Sequence, residues 1–196
     1  MGQRVYHEVY SLKEFPAQDA VYLISAKNGP WLCEYAPPRR CPDSALEDAI
    51  DSGYVVLEDG DATHGQEAWK TFWDQTRQGS AASISVARYT TLDRERCDHA
   101  YYQIFIQDYP NLVWHHLNFD GEKYTLTVEN SGNVTTKTYE YLMAYHTSEG
   151  LGTQNWLRYV LTHDDTLTWD QIWNSMISSQ AFVHIDHYTV YSQKQS

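Results

Sequence analysis

The feature that most constrains the fold of this chain is a repeat of the pattern Trp-x-x-apolar-Trp, at 69–73 and again at 169–173. This spacing places both indole rings and the apolar residue on one face of a helix. An apolar, strand-like run precedes each copy, and a second run follows it. The sequence therefore predicts two similar strand–helix–strand units, at 54–92 and 156–192.

Each Trp-bearing helix carries a start signal. Thr63 and Thr168 each stand three residues before a glutamine, which is the spacing of a capping box, and a third box begins at Ser44. Because an amphipathic helix buries its apolar face, Trp69 and Trp173 are predicted to be buried on two helices that cover one sheet.

The middle of the chain predicts a β-meander. Runs at 112–119 and 122–129 alternate in polarity around Asp120-Gly121, which indicates a hairpin with a type I′ turn, and a third strand is predicted at 134–145. Together with the two units, this pattern predicts an α+β fold. Its sheet should be largely antiparallel or mixed, with the two Trp-bearing helices packed on one face.

The first part of the chain has a different pattern. Two apolar runs around Asn28-Gly29-Pro30 predict a hairpin, and the proline-rich stretch 37–42 cannot continue a strand. We therefore expect an N-terminal β-hairpin segment at 1–42, packed on a main domain at 43–196. The polar stretch 93–110 is predicted to be a loop or a short helix.

The charge of the chain excludes some classes of partner. The formal net charge is −12 over 196 residues, which argues against binding to nucleic acid or to an anionic membrane surface. No apolar run approaches the roughly 20 residues of a membrane span. We expect a partner that is a protein or a small ligand, and the sequence indicates no cofactor.

The cysteines and the N-terminus bear on the compartment. Cys33, Cys41 and Cys97 make neither a disulfide framework nor a zinc motif, and we interpret them as free thiols, with a pair between Cys33 and Cys41 left open. The sequence begins without the apolar region of a signal peptide. We expect a cytoplasmic protein, with an exported protein that lacks its leader here as the alternative.

Four motifs follow one another along the chain: Asp59-Gly60-x-x-Thr63-x-Gly65-x-x-x-Trp69, Arg88-Tyr89-Thr90-Thr91-Leu92, Phe119-Asp120-Gly121-Glu122-Lys123-Tyr124-Thr125-Leu126, and Ser178-Ser179-Gln180 before Ile185-Asp186-His187-Tyr188-Thr189-Val190-Tyr191. In this order they resemble a family of uncharacterised bacterial proteins, over about residues 54–192. The resemblance implies no established activity and no catalytic residue. It does imply a protein that is often exported or lipid-anchored, which supports the alternative of an exported protein.

The histidines suggest one metal hypothesis. If their segments met in space, His163, Asp165, His184 and Asp186 could offer mixed nitrogen and oxygen ligands. His187 should point to the opposite face of its strand from His184. A metal-dependent hydrolase that uses this cluster near the C-terminus is the alternative function.

The remaining reactive residues favour structural roles. His115 and His116 are neighbours on a strand, so one ring should point inward and the other outward. Cys97 lies beside Asp98-His99, but neighbours in sequence do not form a catalytic dyad, because such groups must meet through the fold.

The aromatic content supports a binding role. The chain has 7 Trp and 16 Tyr, and an exposed group of these could form a stacking platform. The candidate ligand-binding residues are Trp31, Trp114, Trp156, Tyr139 and Tyr141. The sequence therefore favours a non-catalytic binding or interaction module that recognises a protein or a small ligand through an aromatic surface.

Overall fold

The computed structural model describes the backbone of residues 8–10, 21–25 and 29–33, and then residues 40–95, 97–149, 154–177 and 185–195. The side chains of the N-terminal strands and of Glu149 and Ile177 are not described. The chain divides into two compact units, Met1–Pro38 and Arg39–Ser196.

The described residues of the first unit form three strands in an antiparallel sheet of order β1-β2-β3. Their bounds are Glu8–Tyr10 for β1, Val21–Ser25 for β2 and Gly29–Cys33 for β3.

The second unit contains nine strands and four helices within its described part. The strands are β4 (Val55–Glu58), β5 (Asp61–His64), β6 (Ala82–Thr90), β7 (Asn111–Phe119), β8 (Tyr124–Asn130), β9 (Asn133–Tyr139), β10 (Tyr141–Glu149), β11 (Gln154–Thr162) and β12 (His187–Gln195). The helices are α1 (Ala45–Asp51), α2 (Gln66–Arg77), α3 (His99–Phe105) and α4 (Trp169–Ile177), and a short 3-10 turn at Ile106–Asp108 follows α3. No helix in the described ranges has the length and the apolar composition needed to cross a membrane.

The strands of the second unit form two sheets. Six strands pair in the order β5-β4-β6-β7-β8-β9, in which β4 and β6 are parallel and the other pairs are antiparallel. The strands β10-β11-β12 form an antiparallel sheet of their own. The α+β fold, the largely antiparallel sheet and the central meander β7-β8-β9 are therefore confirmed.

The predicted third strand of the meander is divided between the two sheets. β9 ends at Tyr139 and β10 begins at Tyr141, with Glu140 at the junction. At the other side of the unit, the Ser192 hydroxyl donates to the Gly60 carbonyl, and the Lys194 amide donates to the Asp61 carboxylate at 2.9 Å. The two sheets therefore meet at both sides, and one core fills the space between them.

The six-stranded sheet is buried on both faces at β4. Val55 and Leu57 belong to the main core with α2, whereas Val56 packs with Ala45 and Ala49 of α1 on the opposite face. Three consecutive buried residues are expected where a parallel strand is covered by helices on both sides. We call the face that carries α2 the inner face and the face that carries α1 the outer face.

Both Trp-bearing helices contact the three-stranded sheet, and α2 also packs against β4 and β6 of the six-stranded sheet. Trp69 of α2 contacts Tyr159 and Tyr191. Trp169 of α4 contacts Tyr145 of β10 and Arg158 of β11. Trp69 is buried as predicted, with 2% of its surface exposed, but the predicted burial of Trp173 is wrong, because 46% of that side chain is exposed. The apolar stripe of α4 is wider than the surface that covers it, and Ile172 takes the buried position instead.

The start signals of the helices have mixed outcomes. The box at Thr168 is confirmed: the Gln171 amide donates to the Thr168 hydroxyl at 3.3 Å, and the Gln171 side chain accepts from the Thr168 amide at 2.8 Å. The box at Thr63 is wrong, because Thr63 lies in β5 and Gly65 is the N-cap of α2. Ser44 is the N-cap of α1, but its hydroxyl makes no capping hydrogen bond.

The central hairpin is confirmed, but its turn is not the predicted type I′. Phe119 pairs with Tyr124, which leaves a four-residue loop at 120–123. The Asp120 carboxylate accepts from the amides of Glu122 and Lys123 at 2.8 and 2.9 Å. A type I′ turn needs a positive φ at both central residues, and among these residues only Gly121 has one. The side chain of Asp120 therefore organises a longer loop.

Candidate functional site

An open groove crosses the outer face of the six-stranded sheet beside α1. Its volume is about 380 Å3, and Trp114 of β7 forms part of its lining. Trp114 pairs directly with Glu129 on β8, and directly opposite residues on one face have Cβ atoms roughly 5 Å apart. The Tyr54 ring contacts the half-buried indole edge-on, with 4.9 Å between ring centroids.

The groove has an apolar base and a charged rim. Leu112 and Ala45 are buried side chains of the lining, whereas Arg40, Asp48 and Glu129 are exposed. Arg40 donates to the exposed Asp43 at 3.0 Å. Neither Asp48 nor Glu129 forms an ion pair with any described residue. The uncompensated charge along this groove is therefore negative.

The other predicted ligand-binding residues do not gather around Trp114. Trp156 is only 7% exposed, and Tyr139 is fully buried. Tyr141 is 39% exposed, at the first position of β10. The side chain of Trp31 lies outside the described residues. Of the four described candidates, Trp114 is the one that lines this groove.

Two cations of the chain already lie over the ring of Trp156. The Arg158 guanidinium lies 4.9 Å from its centroid, and the Lys194 ammonium lies 5.3 Å from it. Arg158 also lies 5.4 Å from Trp169, and Arg77 lies 5.6 Å from Trp73. Among the described residues, no Lys or Arg lies over the Trp114 ring. Trp114 is thus a half-buried indole whose ring is covered by no Lys or Arg of the described residues.

Two of the four predicted metal ligands do meet, at the junction of β9 and β10. His163 Nε2 lies 3.7 Å from the Asp186 carboxylate, and Nδ1 of the same ring hydrogen-bonds to Glu140. Tyr139 stacks on His163, with 5.1 Å between ring centroids. Lys137 donates to Asp186 at 3.1 Å. We call these residues, with Lys123 near Glu140, the His163 cluster.

The charges of the His163 cluster favour ionised carboxylates. The hydrogen bond and the charge of His163 hold the pKa of Glu140 below its usual value. Burial opposes ionisation of Asp186, but the hydrogen bond and the charge of Lys137, together with His163, more than offset it and lower the pKa of that carboxyl. The cluster is therefore a network of opposite charges that joins β9, β11 and β12.

The cluster is not arranged as a metal site. The two carboxylates face opposite nitrogens of one imidazole ring, so they do not converge on one point, and Lys137 supplies a cation to Asp186. Asp165 is exposed outside the cluster, and His184 lies outside the described residues. His187 Nδ1 donates to the Ile185 carbonyl at 2.8 Å. Within the described part of the chain, no three His, Cys, Asp or Glu side chains form a group that could hold a metal ion.

The His163 cluster predicts an acid dependence of stability. A carboxyl whose pKa is lower in the folded state stabilises the fold above its unfolded pKa, and this contribution is lost as the pH falls through the folded pKa. The free energy of unfolding of the wild type should therefore exceed that of a Glu140→Gln/Asp186→Asn variant at about pH 6, and the difference should shrink at about pH 3. Urea denaturation at the two pH values measures it, with Asp165→Asn as the control. A constant difference would contradict the prediction.

The two neighbouring histidines of β7 point to opposite faces, as predicted. His116 is exposed, and its Nδ1 lies 3.0 Å from the Ser85 hydroxyl. His115 is buried, with Nε2 at 2.5 Å from the Tyr188 hydroxyl. Burial and the nearby charge of Arg88 lower the pKa of His115 to about 3. The ring is therefore neutral, and a hydrogen bond joins its Nε2 to the Tyr188 hydroxyl.

A smaller cavity of about 170 Å3 lies beside this pair, on the inner face. Its lining includes Leu126, Val128, Tyr139 and Tyr188. The Tyr139 hydroxyl is buried and has no hydrogen-bond partner among the described residues. Burial, together with the charge of Asp186, raises the pKa of Tyr139 to about 12. The hydroxyl is therefore protonated, and no described residue satisfies its hydrogen bond.

Removing this hydroxyl should not destabilise the protein. A buried polar group without a partner costs roughly 1–3 kcal/mol, so Tyr139→Phe should leave the free energy of unfolding unchanged or raise it by up to about 2 kcal/mol. Tyr145→Phe is the matched control, because the Tyr145 hydroxyl donates to the Leu167 carbonyl at 2.8 Å. That change should cost about 1 kcal/mol. Urea denaturation measures both variants, and a clear loss of stability in Tyr139→Phe would show that the hydroxyl has a partner.

Sequence reasoning missed the charged residues of the groove. Asp48 lies on α1 and Glu129 on β8, and neither carries a motif that marks it as a site residue. The pairing register of β7 and β8 could have placed Glu129 opposite Trp114, but that register depends on the length of the loop at 120–123. Comparison with protein-family models, with curated proteins and with solved structures finds no match for this chain. The family resemblance of the four motifs stays a prediction, and the functional assignment depends on the geometry of the groove.

Proposed function

We propose that this chain is a non-catalytic binding module that recognises its ligand or partner through the Trp114 groove. The observation that carries the proposal is a half-buried indole in an open groove of about 380 Å3, with buried apolar neighbours and a charged rim. Ligand sites commonly combine an apolar lining with a few polar groups at this scale of volume. Aromatic residues in such positions provide much of the binding energy of known interfaces.

The one thiol among the described lining residues supports binding rather than catalysis. Cys41 is a free, half-buried cysteine in the groove. Burial, its largest influence, raises the pKa of this thiol above its ordinary value. The thiolate is the reactive form of cysteine, so Cys41 is not poised as a nucleophile at neutral pH.

Fragment binding observed by NMR tests the proposal. The seven tryptophans each have an indole N–H resonance, and a Trp114→Phe variant identifies the signal of Trp114. With a library of cationic, neutral and anionic fragments, we expect the largest shifts at the Trp114 indole and at the backbone amides of Asp48 and Glu129. The Trp156 indole is the internal control, because cations of the chain already cover its ring. A library that shifts other regions but never the groove would refute the proposal.

A metal-dependent hydrolase is the second candidate that the sequence offers. Among the described residues only His163 and Asp186 of its four proposed ligands approach each other, at 3.7 Å, and they are not arranged as a metal site. Metal analysis of the purified protein separates the two candidates. Stoichiometric zinc or manganese that is lost in His163→Ala and in His184→Ala would favour the hydrolase. Metal binding that is unaffected by both substitutions would leave this candidate without its proposed ligands.

A further inference from the structure

We propose that the Trp114 groove binds an arginine side chain of a basic protein partner, with the guanidinium over the indole and beside the carboxylates of Glu129 and Asp48. This inference deepens the proposed function and rests on it. It names the chemical class of the partner, which the proposed function leaves open.

The register of the sheet places the indole and one carboxylate together. Trp114 and Glu129 are directly opposite residues of β7 and β8, and Asp48 of α1 belongs to the lining of the same groove. A cation over an indole is attracted by the ring, and a neighbouring carboxylate adds an ion pair. The two interactions reinforce each other only for a ligand that is positively charged.

The chain's own tryptophans show the same chemistry where a cation is present. Arg158 lies between Trp156 and Trp169, at 4.9 and 5.4 Å from their centroids, and Arg77 lies 5.6 Å from Trp73. Trp114 is half-buried in an open groove, and no described Lys or Arg lies over its ring. An external cation would complete this site.

Charge complementarity favours a cation at both short and long range. The one described cation of the rim, Arg40, is paired with Asp43, so Asp48 and Glu129 set the local charge. The whole chain carries a formal charge of −12. A surplus of one sign steers partners of the opposite sign toward the protein, and an anionic ligand would be repelled at both scales.

The shape of the groove favours a side chain of a polypeptide over a free small molecule. Sites for free ligands bury roughly 70–90% of the ligand surface, whereas this groove is open along the outer face of the sheet. Arginine fits better than lysine, because its planar guanidinium stacks on an aromatic ring and can donate two parallel hydrogen bonds to a carboxylate. Lysine offers a compact charge that retains its hydration more strongly.

Three blocked tripeptides test the inference: acetyl-Gly-Arg-Gly-amide, the same peptide with lysine, and the same peptide with citrulline in place of arginine. Citrulline keeps the shape of arginine and removes its charge. Titration followed by the Trp114 indole N–H resonance should give an affinity for the arginine peptide about tenfold above that for the citrulline peptide. The lysine peptide should lie between them, and added salt should weaken arginine binding.

Matched variants assign the effect to the groove. Glu129→Gln should weaken binding of the arginine peptide about threefold to fivefold and leave the citrulline peptide unchanged. Glu67→Gln alters an exposed carboxylate of α2 outside the groove and should change neither. Because Glu129 is exposed, its variant should fold, and its thermal unfolding checks this.

The outcomes separate the two levels of the proposal. If arginine and citrulline peptides bind equally, or if free guanidinium binds as tightly as the arginine peptide, the class of partner inferred here is wrong while the groove remains a binding site. If neither the peptides nor any fragment of the library shifts the Trp114 resonance, the proposed function itself fails.

Discussion

Replacing Trp69 by alanine should lower the free energy of unfolding by about 3–5 kcal/mol, which is the usual cost of removing a large aromatic side chain from a core. Trp69 stacks on Tyr191, with 4.4 Å between centroids and 7° between planes, and it contacts Tyr159 edge-on. These contacts join α2 to the three-stranded sheet. A cavity at this position would therefore weaken the core that the two sheets share. Urea denaturation of the purified variant measures the loss.

The second copy of the repeat provides the control. Trp173 occupies the position equivalent to Trp73. It is 46% exposed, and its one ring contact with a described residue is a tilted contact to Trp169 at 6.3 Å. Trp173→Ala should cost less than about 1 kcal/mol, because a half-exposed side chain loses little burial. Equal losses in Trp69→Ala and Trp173→Ala would contradict the packing described for the two helices.

Gly65→Ala should lower the free energy of unfolding by about 3 kcal/mol, from two causes that act together. Gly65 is the N-cap of α2 with φ +76°, a left-handed conformation that an alanine adopts only with strain. A Cβ at this position would lie 2.8 Å from Val55 Cα, which is backbone of a buried strand and cannot move aside. Thermal or urea unfolding measures the effect.

Gly79→Ala separates the two causes. Gly79 has φ +73°, and a Cβ there would meet no atom within 4 Å. This variant should cost about 1–2 kcal/mol, which is the strain of the left-handed conformation alone. If Gly65→Ala were no worse than Gly79→Ala, the close approach of α2 to β4 would be wrong.

Several elements of this fold could be predicted from residues close together in sequence. Local periodicity predicts the helix of Trp69, the hairpin around 120–123 and the helix of Trp169. Apolar residues repeat with the period of a helix or a strand wherever one face of that element is buried. The capping box at Thr168 was correct for the same reason, since its partners are three residues apart. Its counterpart at Thr63 failed because pairing with β4 draws Thr63 into a strand, which a local pattern does not show.

The candidate site depends on the pairing register of β7 and β8, which the turn predicted from the sequence would have shifted by two residues. A two-residue turn at Asp120-Gly121 would have put Thr127 opposite Trp114. The four-residue loop shifts the pairing by two residues and brings Glu129 there instead, while His116 pairs with Thr127. Because a shift of two residues keeps every side chain on its own face, the alternation of polar and apolar residues was the same for either register. The loop geometry, set by the Asp120 side chain, decided which carboxylate lies beside the indole.

The sequence by itself determined the class of fold, the helices that carry the Trp repeat and the burial of Trp69, because these follow from periodicity and from the size of the apolar face. Only the tertiary structure decided that Trp173 stays exposed, that the buried Tyr139 hydroxyl finds no partner among the described residues, and that Trp114 lines a groove beside carboxylates that no described cation pairs. The physical reason is that exposure and charge environment depend on which elements cover a residue. In this chain, those elements come from distant segments whose pairing no local pattern specifies.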